Sequence, residues 1–108
     1  MSVISFSWFG AESRFDAKTE TVVYRIVHEL VGNALKHSGA THILVQIVQE
    51  PGRIALMVED NGCGFDTKTT GKGMGLQNIS TRVASFGGLM DIQSVAGEGT
   101  EINVELRI

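Results

Sequence analysis

Apolar positions along the 108-residue chain change their period several times, and each change marks an element. Ile4-Ser5-Phe6-Ser7-Trp8-Phe9 alternates in part, carries aromatic side chains and meets Gly10, which predicts a short strand. Ala11 to Lys18 is polar and reads as a loop. Val23, Ile26, Val27, Leu30, Val31, Ala34 and Leu35 then recur at spacings of three and four, which predicts an amphipathic helix. Thr19 or Thr21 is placed to cap it and Glu20 suits its N-terminus, while His37-Ser38-Gly39 ends it. Thr41 to Gln49 alternates, with Ile43, Val45 and Ile47 on one side, and Pro51-Gly52 supplies the turn to an antiparallel partner over Arg53 to Glu59. Asp60 to Gly75 is a long glycine-bearing loop. Leu76, Ile79, Val83 and Phe86 mark a second helix, stopped by Gly87-Gly88. Leu89 to Val95 and Thr100 to Ile108 are strands joined by the tight turn Ala96-Gly97-Glu98-Gly99.

The order is strand, helix, two strands, loop, helix, two strands. Hairpins outnumber crossovers in this reading, so the expected architecture is α+β: a two-layer α/β sandwich with a mixed sheet and both helices on one face. The length allows a single domain over residues 1–108. Apolar residues make up 43% and charged residues 19%, which excludes a disordered chain. A net charge of −3 leans away from a basic nucleic-acid-binding face. One cysteine excludes an intramolecular disulfide and a multi-cysteine metal site. No apolar run approaches the ~20 residues of a membrane span, and no signal peptide is visible.

Glycine is the compositional anomaly. Nine of the thirteen fall between Gly62 and Gly99, without low-complexity repeats, so they read as loops built for backbone geometry around a ligand. Asp60-Asn61-Gly62-Cys63-Gly64 sets a carboxylate at a strand end, followed by Gly-x-Gly. It is turn chemistry, or a carboxylate accepting a hydrogen bond from a ligand amine beside a backbone that lets a flat ring approach. Gly71-Lys72-Gly73-Met74-Gly75-Leu76 precedes a helix, where exposed N–H groups and the helix end favour an anion. It is not a P-loop, since Gly-Lys-Ser/Thr is lacking, and not a dinucleotide fingerprint, since no strand–helix–strand crossover is expected around it. Gly97-Glu98-Gly99-Thr100 is a hairpin turn, with a threonine hydroxyl that can also reach a ligand.

On the first helix, Asn33 lies four residues after Glu29, and Lys36 and His37 lie three and four after Asn33, so the four share a face roughly opposite the core stripe. A solvated face explains the spacing. Asn in mid-helix is an unusual choice for one, because Asn is a poor helix former. A carboxylate, an amide oxygen and an ammonium together suit hard-metal and phosphate chemistry: Mg²⁺ takes oxygen ligands and keeps several waters.

Taken in order, these four segments resemble the boxes of the ATP-binding domain of bacterial sensor histidine kinases. That superfamily is shared with type II topoisomerases, the MutL repair proteins and the ninety-kilodalton heat-shock chaperones. His28 to His37 is similar to the N box, Asp60 to Gly64 to the first glycine box, Gly71 to Gly75 to the second, and Gly97 to Thr100 to the last. Tyr24-Arg25-Ile26-Val27-His28-Glu29, Gly75-Leu76-Gln77-Asn78-Ile79, Arg82-Val83 and Gly87-Gly88 look like the nitrate-sensor and thermosensor type, which pairs with response regulators of the NarL kind. The ten residues between Gly64 and Gly75 make a short lid.

The resemblance implies a Bergerat-type ATP-binding sandwich and roles at matching positions. Asn33 would coordinate Mg²⁺, Glu29 would act on the attacking nucleophile or its water, and Lys36 and His37 would lie near the phosphates. Asp60 would accept the adenine amino hydrogen bond, Gly62 and Gly64 would shape the adenine pocket, and Thr100 would reach adenine through water. Lys72, Gly73, Met74, Gly75 and Leu76 would line the nucleotide, with Gly73 and Gly75 hinging the lid. His28, His37 and His42 lack the context of the phosphoacceptor helix, and Cys63 reads as a small buried filler.

The expected activity is donation of the ATP γ-phosphate to a histidine on a separate dimerisation domain, for relay to a response regulator. The implied partners are ATP, that dimerisation domain and, indirectly, the regulator, without direct contact to nucleic acid or membrane. The chain is expected to be an excised, monomeric, cytoplasmic catalytic domain of a larger kinase, without its dimerisation, sensor and transmembrane parts. A free-standing serine kinase of the anti-sigma-factor kind and a nucleotide-sensing scaffold are the competing readings.

Overall fold

A computed structural model describes residues 3–10, 17–63, 76–95 and 97–107, excluding the side chains of His37, Ser38, Leu76, Gln77 and Asn78. The elements are β1 (Val3–Gly10), α1 (Ala17–Asn33), a π-helical turn (Ala34–Ser38), β2 (His42–Glu50), β3 (Arg53–Asp60), α2 (Leu76–Ser85), β4 (Leu89–Val95) and β5 (Gly99–Arg107). The strands form one sheet in the order β1-β2-β3-β5-β4. β1 runs parallel to β2, and the other pairings are antiparallel.

The two-layer sandwich with a mixed sheet is as the pattern predicts, but its connections differ. β3 and β4 both run against β5, which lies between them, so they are parallel to each other. The segment through α2 is therefore a strand–helix–strand crossover, as is β1-α1-β2. Crossovers equal hairpins instead of being outnumbered, and a crossover does surround the second glycine segment. Sequential order alone hid this, because β5 inserts between strands that precede it in the chain.

The alternation of β2, β3 and β5 puts one side chain in two beneath the helices. Ile47, Leu56 and Val104 form one inner row, and Val45, Val58 and Ile102 the next. Ile26 and Leu30 of α1 and Ile79 and Val83 of α2 cover these rows. The following inner row contains Ile43, Asp60, Thr100 and Ser94, so the apolar core ends in polar groups at one end of the sheet.

Two features of α1 depart from the pattern. The helix starts at Ala17, so Thr19 and Thr21 lie inside it and neither is the N-cap. The Thr21 hydroxyl donates back to the Ala17 carbonyl at 2.9 Å. Beyond Asn33 the winding loosens into the π turn, which Gly39 ends in the left-handed region at φ 65°. Bonding from i to i+5 places more residues in a turn, so side chains after Asn33 fall behind an α-helical continuation. Leu35 consequently leaves the core stripe and is 48% exposed, while Ala34 stays buried.

At the end of α2, the Gly88 amide donates to the Val83 carbonyl and the Gly87 amide to that of Ala84, both at 3.0 Å. With Gly87 left-handed at φ 66°, this is a Schellman ending. A Cβ at Gly88 would lie 2.3 Å from the Glu105 carbonyl oxygen, so the missing side chain lets the chain turn closely over β5.

Ile26→Ala is expected to lower the unfolding free energy by about 2–5 kcal/mol, and Leu35→Ala by about 1 kcal/mol or less. Urea denaturation of the two variants measures both. Equal losses would mean that Leu35 packs as the helical stripe predicts.

Candidate functional site

The polar end of the sheet is assembled around Asp60, the last residue of β3. Its side chain faces the helix layer, is half-buried and lies directly opposite Thr100 on β5. One carboxylate oxygen, Oδ1, accepts the Gly62 amide at 2.8 Å, so the turn chemistry read from Asp-Asn-Gly is realised. The other, Oδ2, takes no hydrogen bond among the described residues. The same carboxylate thus builds the turn and presents an acceptor.

Asn61 fixes this turn to the start of β2. Its Oδ1 accepts the amides of Thr41 and His42 at 3.0 and 2.9 Å, and its Nδ2 donates to the Thr41 hydroxyl at 3.0 Å. Its own amide donates to the His42 carbonyl at 3.2 Å. The Cys63 carbonyl accepts from the Gly97 amide, joining this turn to the β4–β5 turn. The Cys63 side chain is exposed, which corrects its reading as a buried filler: it lies past the strand end, outside the packed rows.

Gly99 brings β5 close. It sits at φ 100°, and a Cβ there would meet the Asp60 carbonyl oxygen at 2.3 Å. Next to it, Thr100 is 8% exposed, and its Oγ1 lies 2.8 Å from the Ser94 Oγ, which also approaches the Gly99 carbonyl at 3.2 Å. A groove of about 240 Å³ runs round this end of the sheet, lined by Asp60, Ser94 and Thr100 of the inner row and by Glu59, Gln93 and Glu101 of the opposite face.

Topology brings the end of α1 to this same end of the sheet. Because β1 and β2 run the same way, α1 returns against them and finishes near the start of β2, where Ile43 pairs with Asp60. Glu29 and Asn33 are half-buried and Lys36 is exposed, so this face flanks the core stripe of Ile26, Leu30 and Ala34 and does not oppose it as expected: at about 100° per residue Glu29 and Asn33 fall beside Ile26. Glu29 accepts a 2.5 Å hydrogen bond from Arg82 Nη1 of α2, so this face of α1 is not simply solvated. His28 is on the surface, its ring stacked on Tyr24 at a centroid distance of 5.8 Å. His37 falls in the π turn and Leu76 opens α2. Gly64, Lys72, Gly73, Met74 and Gly75 lie outside the described residues.

Among the described residues, no group of three or more His, Cys, Asp or Glu could hold a metal. The Asn33 amide oxygen is a hard donor, and it suits a hard cation that keeps waters and takes its other ligands from an anion.

Three site residues were not singled out from the sequence. Ser94 had a readable signal, being a hydroxyl at an inner-facing position of β4 in line with Thr100. Arg82 and Asn61 had none beyond their place in motifs, because their partners lie 53 and 20 residues away.

The sequence profile of the histidine kinase-, DNA gyrase B- and HSP90-like ATPases matches residues 18–108, and the chain belongs to that family. The sensor histidine kinase ComP of Bacillus subtilis is 33% identical over 96 residues, covering 86% of this chain and 12% of ComP. The sensor histidine kinase MctS of Rhizobium johnstonii is 36% identical over 89 residues, covering 79% of this chain and 19% of MctS. Among solved structures, the Erythrobacter litoralis EL346 blue-light activated histidine kinase superposes with a TM-score of 0.74 at 21% identity, over 99% of this chain and 36% of that one. This last likeness is one of fold. The chain spans less than a fifth of either curated relative.

Gly99→Ala is expected to destabilise the domain by roughly 3 kcal/mol or more, through backbone strain and the clash with Asp60. Gly97→Ala, at φ 85° but with open space around the added methyl, should lose only about 1–2 kcal/mol. Denaturant unfolding of both compares them. Equal losses would contradict the close approach of Gly99.

Proposed function

We propose that this domain binds Mg-ATP and donates its γ-phosphoryl group to a histidine on a dimerisation domain, as the catalytic part of a sensor histidine kinase. The observation that carries this reading is the open Oδ2 of Asp60, held at a fixed turn beside the buried Thr100 hydroxyl. An acceptor-only group at a half-buried position selects a ligand that donates there. Adenine presents an exocyclic amine, whereas guanine presents a carbonyl oxygen at the equivalent place, which the carboxylate repels.

The triphosphate would extend from the adenine toward the end of α1. Asn33 would hold Mg²⁺ through its amide oxygen, and the ion supplies charge neutralisation on the phosphates. Lys36 would add a cationic charge from its exposed position. The resemblance also assigns phosphate contacts to His37, Lys72, Gly73 and Gly75, a place along the nucleotide to Met74 and Leu76, and a share of the adenine pocket to Gly62 and Gly64. In the transfer, an imidazole nitrogen of the acceptor histidine attacks the γ-phosphorus, the bond to the β–γ bridging oxygen breaks, and ADP leaves. Glu29 would orient the nucleophile or accept its proton.

The partners in this reading are a histidine-bearing dimerisation domain and, through it, a response regulator. Residues 1–108 act as one catalytic domain on the cytoplasmic side, where ATP is available. Among the described residues no helix is long and apolar enough to cross a membrane. The narrower kinship to kinases paired with NarL-kind regulators is supported by the Tyr24–Glu29, Gly75–Ile79, Arg82-Val83 and Gly87-Gly88 patterns alone.

Asp60→Asn keeps an oxygen for the Gly62 amide but turns a donor toward the ligand amine. It is expected to weaken ATP binding by about a hundredfold, near 2.7 kcal/mol, with the fold retained. Asn33→Asp should chiefly change the Mg²⁺-dependent increment of affinity. Calorimetric titration of ATP with and without Mg²⁺ checks both variants. Unaltered ATP affinity in Asp60→Asn would remove the adenine assignment.

A further inference from the structure

We propose that Arg82 is a positioning residue for phosphoryl transfer, one that fixes the direction of the Glu29 carboxylate. The inference rests on the catalytic reading of Glu29 given above. Arg82 Nη1 donates to Glu29 Oε1 at 2.5 Å, bridging α2 to α1 between side chains 28% and 35% exposed. The contact has a single point, and Oε2 has no partner among the described residues. Here one oxygen is tethered and the other is left to act.

The tether has a rigid base and a useful target. Arg82 lies between Ile79 and Val83, which are 0% and 1% exposed and lock that stretch of α2 into the core. A guanidinium carried there occupies a defined place. Glu29 precedes Asn33 by four residues on α1, so the two share a face and the orientation of Glu29 decides whether its free oxygen meets the group that Asn33 meets. An untethered glutamate samples several rotamers, and misorientation of a catalytic group lowers the rate without altering nucleotide affinity. A plain helix–helix staple behaves otherwise: its loss lowers stability and leaves the chemical step of the folded fraction unchanged.

The test is the kinetics of phosphoryl transfer from ATP to the acceptor histidine, in the kinase carrying this domain and its dimerisation segment. Arg82→Gln is expected to lower kcat about tenfold with the ATP KM within about twofold, and Arg82→Lys to recover kcat to within about threefold. Arg82→Met, which keeps the aliphatic stem packed, replaces Arg82→Gln if the latter loses binding of an ATP analogue. The deciding comparison is a double-mutant cycle. In a Glu29→Gln background, itself expected to lose about a hundredfold in kcat, Arg82→Gln should have less than about a twofold further effect. Multiplying losses would place the action of Arg82 elsewhere and overturn the proposal, as would an Arg82→Gln variant with a lowered melting temperature and normal kcat. If Glu29→Gln is fully active, the catalytic reading of Glu29 fails, and this inference with it. If Glu29→Gln is impaired and Arg82→Gln is not, only the role of Arg82 fails.

Discussion

The antiparallel pairing of β3 with β5 sets Asp60 against Thr100, and the site takes its geometry from that register. A slip of β5 by one residue would turn Thr100 to the opposite face and away from Asp60. The apolar rows above them resist such a slip, because Ile102, Val104 and Leu106 would move into solvent together. The core therefore fixes the polar row by continuity along the same strands. Gly99 then brings the turn close enough for its backbone to abut the Asp60 carbonyl.

Around that register, polar groups do two jobs at once. Asp60 closes its own turn with one oxygen and leaves the other open. Asn61 occupies both ends of its amide in holding the turn to the start of β2, so the open carboxylate stands on a braced base. Thr100 is buried but satisfied by Ser94. Glu29 follows the same logic on α1, with one oxygen engaged by Arg82. Asp60 and Glu29 are each fixed through one oxygen while the other has no partner among the described residues, and a group held in this way needs less reorganisation on binding.

Much of this was legible in the sequence where local rules decide. Period-two alternation in Thr41 to Gln49 and Thr100 to Ile108 gave the strands and their buried faces, and glycine pairs marked the ends of α2 and of the β4–β5 turn. Asp60, Asn33 and Glu29 stood out as candidate chemistry, with turn formation as the other reading of Asp60 and a solvated face as that of the helix pair. What escaped depends on non-local facts. The insertion of β5 between β3 and β4 is set by packing of the whole sheet. The π turn after Asn33 releases Leu35 from a stripe that its spacing assigns to the core. The Arg82–Glu29 pair joins helices far apart in the chain, and no periodicity announces it.

The central claim is that one end of the sheet holds an adenine nucleotide between the Asp60 turn and the end of α1. Amide chemical-shift mapping of the chain with a non-hydrolysable ATP analogue and Mg²⁺ tests it most directly. The account predicts that the shifts concentrate at residues 29–37, 60–63 and 97–100, with little change at Glu50 to Arg53 and at Arg107 on the opposite end of the strands. Shifts centred on that opposite end, or none at all with saturating nucleotide, would contradict it.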